Sequence, residues 1–236
     1  MNGFNVTDLF KASFEDCKNN PVLLVPLLIA MGILLVLGLI LGGGALLGMG
    51  AMGMGGDVSP GIVGGLMGLA MVMMLLAVIV DFLAFGMTVG MAQEVVESGT
   101  TRFQTGMETL KTHGGALVLA AVLVGIILSV GFMLLFLPGL VAMFFLMFTF
   151  PAIVVDGVGG AEALGRSFGV VKERIGDALM VFLGLIAVLA VVFVVNLILG
   201  IIPLLGQLLS LALGVAAGAY LAVVLTRSYR ALRQTA

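Results

Sequence analysis

The sequence has little of what a soluble enzyme needs. Its 236 residues include one cysteine, one histidine, two tyrosines and no tryptophan, and only 9% are charged. A lone Cys17 excludes an intrachain disulfide and any cysteine-built metal cage. Soluble chains carry about 25% charged residues, so this one cannot coat a globular surface and must be wetted mainly by lipid. The ten basic residues are scattered and the formal net charge is -2, which leaves no continuous basic surface for nucleic acid. What is abundant is apolar: 62% of the residues are hydrophobic and the mean hydropathy is +1.33.

Crossing the hydrocarbon core of a bilayer takes roughly 20 helical residues. Apolar runs of that order lie at about residues 21–42, 64–93, 116–137, 139–155, 178–199 and 204–225, which predicts an all-α integral membrane protein with six spans. Between them fall a glycine-rich stretch ending at Asp57, Ser59, Pro60 and Gly61, the adjacent Pro138 and Gly139, and a turn at 200–206 containing Pro203. The first run is too long for a cleaved signal peptide, and acidic Asp8, Glu15 and Asp16 precede it, so it reads as an uncleaved span. All basic residues fall in four segments: Lys11 and Lys18; Arg102 and Lys111; Arg166, Lys172 and Arg174; Arg227, Arg230 and Arg233. The connections between these segments carry none. The positive-inside rule then predicts a multi-pass protein of the cytoplasmic membrane with both termini in the cytoplasm. On that topology the sequon at Asn5 and Thr7 faces away from glycosylation.

The basic segments align without gaps. Phe10, Phe14, Cys17 and Lys18 match Phe103, Met107, Leu110 and Lys111, and again Leu164, Phe168, Val171 and Lys172. The apolar spacing of i, i+4, i+7 gives each segment one apolar helical face, with Glu15, Glu108, Glu173 and Arg174 opposite, as in a helix lying in the membrane interface. Each predicted interfacial helix precedes two spans. The expected architecture is therefore one membrane domain of three parallel repeats, about 5–97, 98–157 and 158–236, each an amphipathic helix plus a transmembrane hairpin.

Two stretches carry a family resemblance. One is Phe14, Lys18, Pro21, Val22 and Leu23 ahead of the first span; the other is residues 150–156 leading into Glu162, Ala163, Leu164, Ser167 and Phe168. They resemble polytopic membrane proteins related to the membrane domain found beside bacterial glycerophosphodiester phosphodiesterases, and archaeal and bacterial membrane domains of unknown function. The resemblance implies a six-span helical fold and no reaction, because the phosphodiesterase chemistry of such fusions belongs to a separate soluble barrel.

Few residues offer chemistry. Asp81 lies about 18 Å along a helix from Gln93, near mid-membrane, where an ionised carboxylate is costly. It shares a helical seam with Ala70, Met74, Ala77, Thr88 and Ala92, which suggests a face turned toward other helices. Its reading is either a proton or cation relay, or a protonated side chain hydrogen-bonded to Ser129, Asn196 or Gln207. Met49, Met52, Met54, Met87 and Met91 offer thioethers suited to Cu(I), in a pattern that faintly resembles copper-uptake channels. Packing of irregular helix contacts is the preferred account of them, and no metal or other cofactor is expected. The Gly48, Gly50, Gly53 pattern follows a span rather than a strand and reads as a flexible connection. His113, Glu94 and Glu97 read as solvated groups at a cytoplasmic surface, and Asp156 and Glu162 as flanking a glycine-rich hinge.

No nucleophile, base and oxyanion donor assemble from these residues. The leading expectation is a non-enzymatic scaffold or accessory subunit that organises membrane lipids or a protein partner at the cytoplasmic face. A small-solute or ion transporter using Asp81 is the alternative, and a lipid-modifying enzyme the third.

Overall fold

The fold is that of a computed structural model, which describes residues 5–53 and 60–234; the side chains of residues 40–60, 62, 63 and 66 lie outside the description. Met49, Met52 and Met54 fall there. Every regular element among the described residues is helical. Six helical segments are long and apolar enough to cross a membrane: Pro21–Leu39, Met67–Ser98, Phe103–Leu134, Phe136–Asp156, Ile175–Leu199 and Leu205–Gln234.

Helix α1 (Val6–Asn19) starts where Asn5 Oδ1 accepts the Thr7 backbone N–H at 3.1 Å, so the asparagine of the sequon is a helix cap. A 3-10 turn, Pro21–Leu24, leads into α2 (Val25–Gly53), which packs against α3 (Pro60–Ser98). Helix α4 (Phe103–Leu134) follows without a break between its polar start and its span. The expected second interfacial helix is thus not a separate element: Met107 and Lys111 sit on the first turns of a 32-residue helix.

The turn into the fourth span corrects the expected site at Pro138 and Gly139. The chain reverses at Leu135, and Pro138 lies in the first turn of α5 (Phe136–Leu146), where its missing N–H has no intrahelical partner to lose. The two glycines serve close packing instead: a Cβ on Gly131 would lie 2.9 Å from the Gly139 Cα. Another difference falls within the same span, which breaks at Met147 and Phe148 before resuming as α6 (Thr149–Asp156). Pro151 explains the break, since it cannot donate to the Met147 carbonyl and its ring crowds that group. Gly157, at φ 67°, ends α6 and turns the chain into α7 (Gly160–Glu173), α8 (Ile175–Leu199) and α9 (Leu205–Gln234).

The packed core occupies one end of the bundle. Leu23, Val89, Met91, Leu117, Phe148 and Tyr229 are fully buried there. The far halves of the spans, including Leu39, Met67, Met133, Phe193 and Leu204, expose large apolar side chains. This is the arrangement expected of helices whose surroundings are lipid tails rather than water.

Candidate functional site

The buried end of the bundle is fastened by the last helix. Arg227, Arg230 and Arg233 recur every three residues on α9, and each reaches a carboxylate on a different element. Arg227 pairs with Asp16 of α1, Arg230 with Glu97 of α3 at 2.5 Å, and Arg233 with Asp156 of α6. Asp156 is the most enclosed of these acids, its side chain only 2% exposed. It also accepts from the Tyr229 hydroxyl at 2.7 Å and pairs with Arg166 of α7 at 3.2 Å. The ends of α1, α3, α6 and α9 therefore meet at one face. Glu94, expected to be solvated, instead accepts from Thr105 Oγ1 at 2.6 Å, Thr101 Oγ1 at 2.7 Å and the Arg102 N–H at 3.3 Å. It caps a helix start that has no side-chain cap of its own.

Ser167 mends the break in the fourth span. Its Oγ accepts the Phe148 N–H at 3.1 Å and donates to the Phe145 carbonyl at 2.7 Å. Both groups would otherwise lack partners where water is scarce. Ser13, which occupies the matching place in the first basic segment, bonds only within its own helix, to the Leu9 carbonyl at 2.9 Å.

Across the three aligned segments, one position is buried and the next is not. Ser13, Gly106 and Ser167 face protein, whereas Phe14, Met107 and Phe168 are exposed by 63%, 37% and 46%. The protein-facing stripe thus runs one residue ahead of the apolar stripe read from the spacing, with small side chains inward and large apolar ones outward. Lys18, Lys111 and Lys172 are all exposed.

Two cavities flank α9 on different faces. The first, about 750 Å³, lies between α1, α8 and α9. Its walls are apolar, including Val188, Val192, Leu213 and Ala217, and its rim bears Lys11, Lys18 and Glu15. Tyr220 meets Phe10 and Phe14 edge to face, and its hydroxyl donates to the Phe10 carbonyl at 3.1 Å. Cys17 also lines this groove. Burial, reinforced by Asp16, pushes its thiol up to about 12, so it remains protonated at neutral pH.

The second cavity, about 610 Å³, lies between α2, α3, α6 and α9. Asp81, near the middle of the Met67–Ser98 segment, is exposed into it together with Met31, Phe82, Phe85, Phe150 and Ser210. Phe82 stacks on Phe150 with centroids 5.4 Å apart, and Phe85 meets the same ring edge-on at 5.7 Å.

The other sequence candidates are not gathered here. Thr88 is buried and donates to its own Ala84 carbonyl, Asn196 likewise to Val192, and Gln207 and Ser129 are exposed. None lines the Asp81 cavity, so the hydrogen-bonded alternative with these partners is replaced by a carboxylate beside Ser210 and three phenylalanines. Met87 and Met91 are buried against Gly106 of α4, while Met67, Met71 and Met74 point outward, exposed by about two thirds or more. Among the described residues no three His, Cys, Asp or Glu side chains are placed to hold a metal ion. Sequence reasoning missed the partners of the α9 arginines; the three-residue recurrence of Arg227, Arg230 and Arg233 was the available signal. The chain matches no family model, no curated protein and no solved structure.

Proposed function

We propose that the chain is a non-enzymatic protein of the cytoplasmic membrane that organises lipid at its cytoplasmic face. The observation that carries this reading is the groove between α1, α8 and α9. Its apolar walls suit an acyl chain, and Lys11 and Lys18 at its rim suit the phosphate of an anionic headgroup, since ammonium groups are compact phosphate binders. The ion pair between Asp16 and Arg227 ties α1 to α9, two of the helices that wall the groove.

The same proposal includes the finer architecture. Three parallel units, each entered from the cytoplasm, account for the shared burial of Ser13, Gly106 and Ser167 and the shared exposure of the three aligned lysines. The face where α9 meets Asp16, Glu97 and Asp156 is then the cytoplasmic one, because all ten basic residues belong to its segments.

Native mass spectrometry of the protein extracted gently from its own membranes tests the lipid reading. The expected result is retained anionic phospholipid on the wild-type chain and its loss from a Lys11→Glu, Lys18→Glu double variant of unchanged thermal stability. Equal lipid retention by the two proteins overturns the reading. Passage of a small solute or ion past Asp81 is a second reading, favoured by that carboxylate's place in a groove between the spans, and it requires that Asp81→Asn abolish flux in proteoliposomes.

A further inference from the structure

We infer that the Asp81 cavity binds a lipophilic organic cation, a ligand whose positive centre is wrapped in apolar groups. Four features of the site converge on that class. Asp81 is the only ionisable side chain among the described residues lining the cavity. It makes no hydrogen bond or ion pair with any described residue, so when ionised it has no counter-ion within the described protein and a cation would supply one. Next to it stand Phe82, Phe85 and Phe150 in stacked and edge-on contact, and aromatic ring faces attract cations within reach. The volume, about 610 Å³, is that of an ordinary small-molecule site.

Other occupants satisfy fewer of these features. A bare metal cation demands several oxygen ligands, and the described lining offers one carboxylate and the Ser210 hydroxyl. An anionic headgroup would meet a like charge. An acyl chain would fill the apolar space but leave the carboxylate without a partner at mid-membrane depth, where charge is expensive. A lipophilic cation places its charge against Asp81 and its apolar groups against the phenylalanines, Met31 and Leu211. This inference does not rest on the lipid reading: it uses another face of α9 and none of the residues of the lysine-rimmed groove.

Equilibrium dialysis of tetraphenylphosphonium against the purified full chain, in nanodiscs of zwitterionic phosphatidylcholine, is the test. Saturable binding beyond that of empty nanodiscs is expected, weakened about tenfold or more by Asp81→Asn, which removes the only ionisable group among the described lining residues. Phe150→Leu, which keeps the apolar volume and removes the ring, should weaken it several-fold. On the wild-type protein, neutral triphenylphosphine oxide should compete poorly, a comparison that needs no variant to fold. The inference is overturned by absence of saturable binding, by equal affinity in a folded Asp81→Asn protein, or by a neutral competitor as effective as the cation. The lysine double variant should bind the probe as the wild type does, which separates failure here from failure of the lipid reading.

Discussion

Ser167 shows how much one hydroxyl does when the surrounding solvent is hydrocarbon. It serves a donor and an acceptor that Pro151 and the break at Met147 leave outside the helical ladder, the Phe148 N–H fully buried and the Phe145 carbonyl half-buried. Ser167→Ala should therefore cost about 1–3 kcal/mol, chiefly from the buried Phe148 N–H left unpaired. Ser13→Ala removes only a local bond to a carbonyl one turn back, and should cost less than about 1 kcal/mol. Thermal unfolding in detergent compares the two, and equal losses would count against the role given to Ser167. From the sequence the two serines were equivalent, both in Ser-Phe-x-x-x-Lys, because the motif records a position on a helix and not what lies across from it. Asp81 was legible by contrast, since an acid in a long apolar run stands out without any tertiary information. Its neighbour Phe150 was not, being 69 residues away and brought beside it only by packing of α6 on α3.

At the scale of elements, α9 is the member on which the others converge. Its arginines reach Asp16, Glu97 and Asp156, separated from them by 211, 133 and 77 positions in the chain, and such distances are why no local pattern announced the pairs. The three ties should differ in worth. Glu97 and Arg230 form a partly exposed pair, so Arg230→Ala should cost about 0–1 kcal/mol. Asp156→Ala should cost about 1–3 kcal/mol, because it leaves the buried Tyr229 hydroxyl without its acceptor, whereas the half-exposed Arg166 and Arg233 can turn to solvent. Thermal midpoints rank the variants, and a larger loss for Arg230→Ala would show that enclosure does not set the order. Helix existence and helix ends were unequally legible. Hydropathy marks a span plainly, but Pro138 suggested a turn where the chain has already begun its next helix, since proline is tolerated in the first turn of a helix. The second basic segment misled similarly: nothing in its amphipathic spacing says whether the helix stops before the span or runs into it, as α4 does.

For the whole molecule, the tightly packed end is also the end where the basic segments gather, the face proposed to be cytoplasmic. Sidedness is checked with single cysteines introduced into a Cys17→Ala background at Lys111, Lys172 and Gln207. A membrane-impermeant maleimide should label Gln207→Cys on intact cells, and Lys111→Cys and Lys172→Cys only after permeabilisation; the reverse pattern overturns the proposed orientation. The α9 fastening also has a consequence for biogenesis. During translation α9 is the last of these helices to leave the ribosome, so Asp16, Glu97 and Asp156 enter the membrane surface before any of their arginines has been made. A nascent chain halted before residue 227 holds its earlier spans but none of the three ties, and its carboxylates and the open flank of α1 are what cellular quality control would meet.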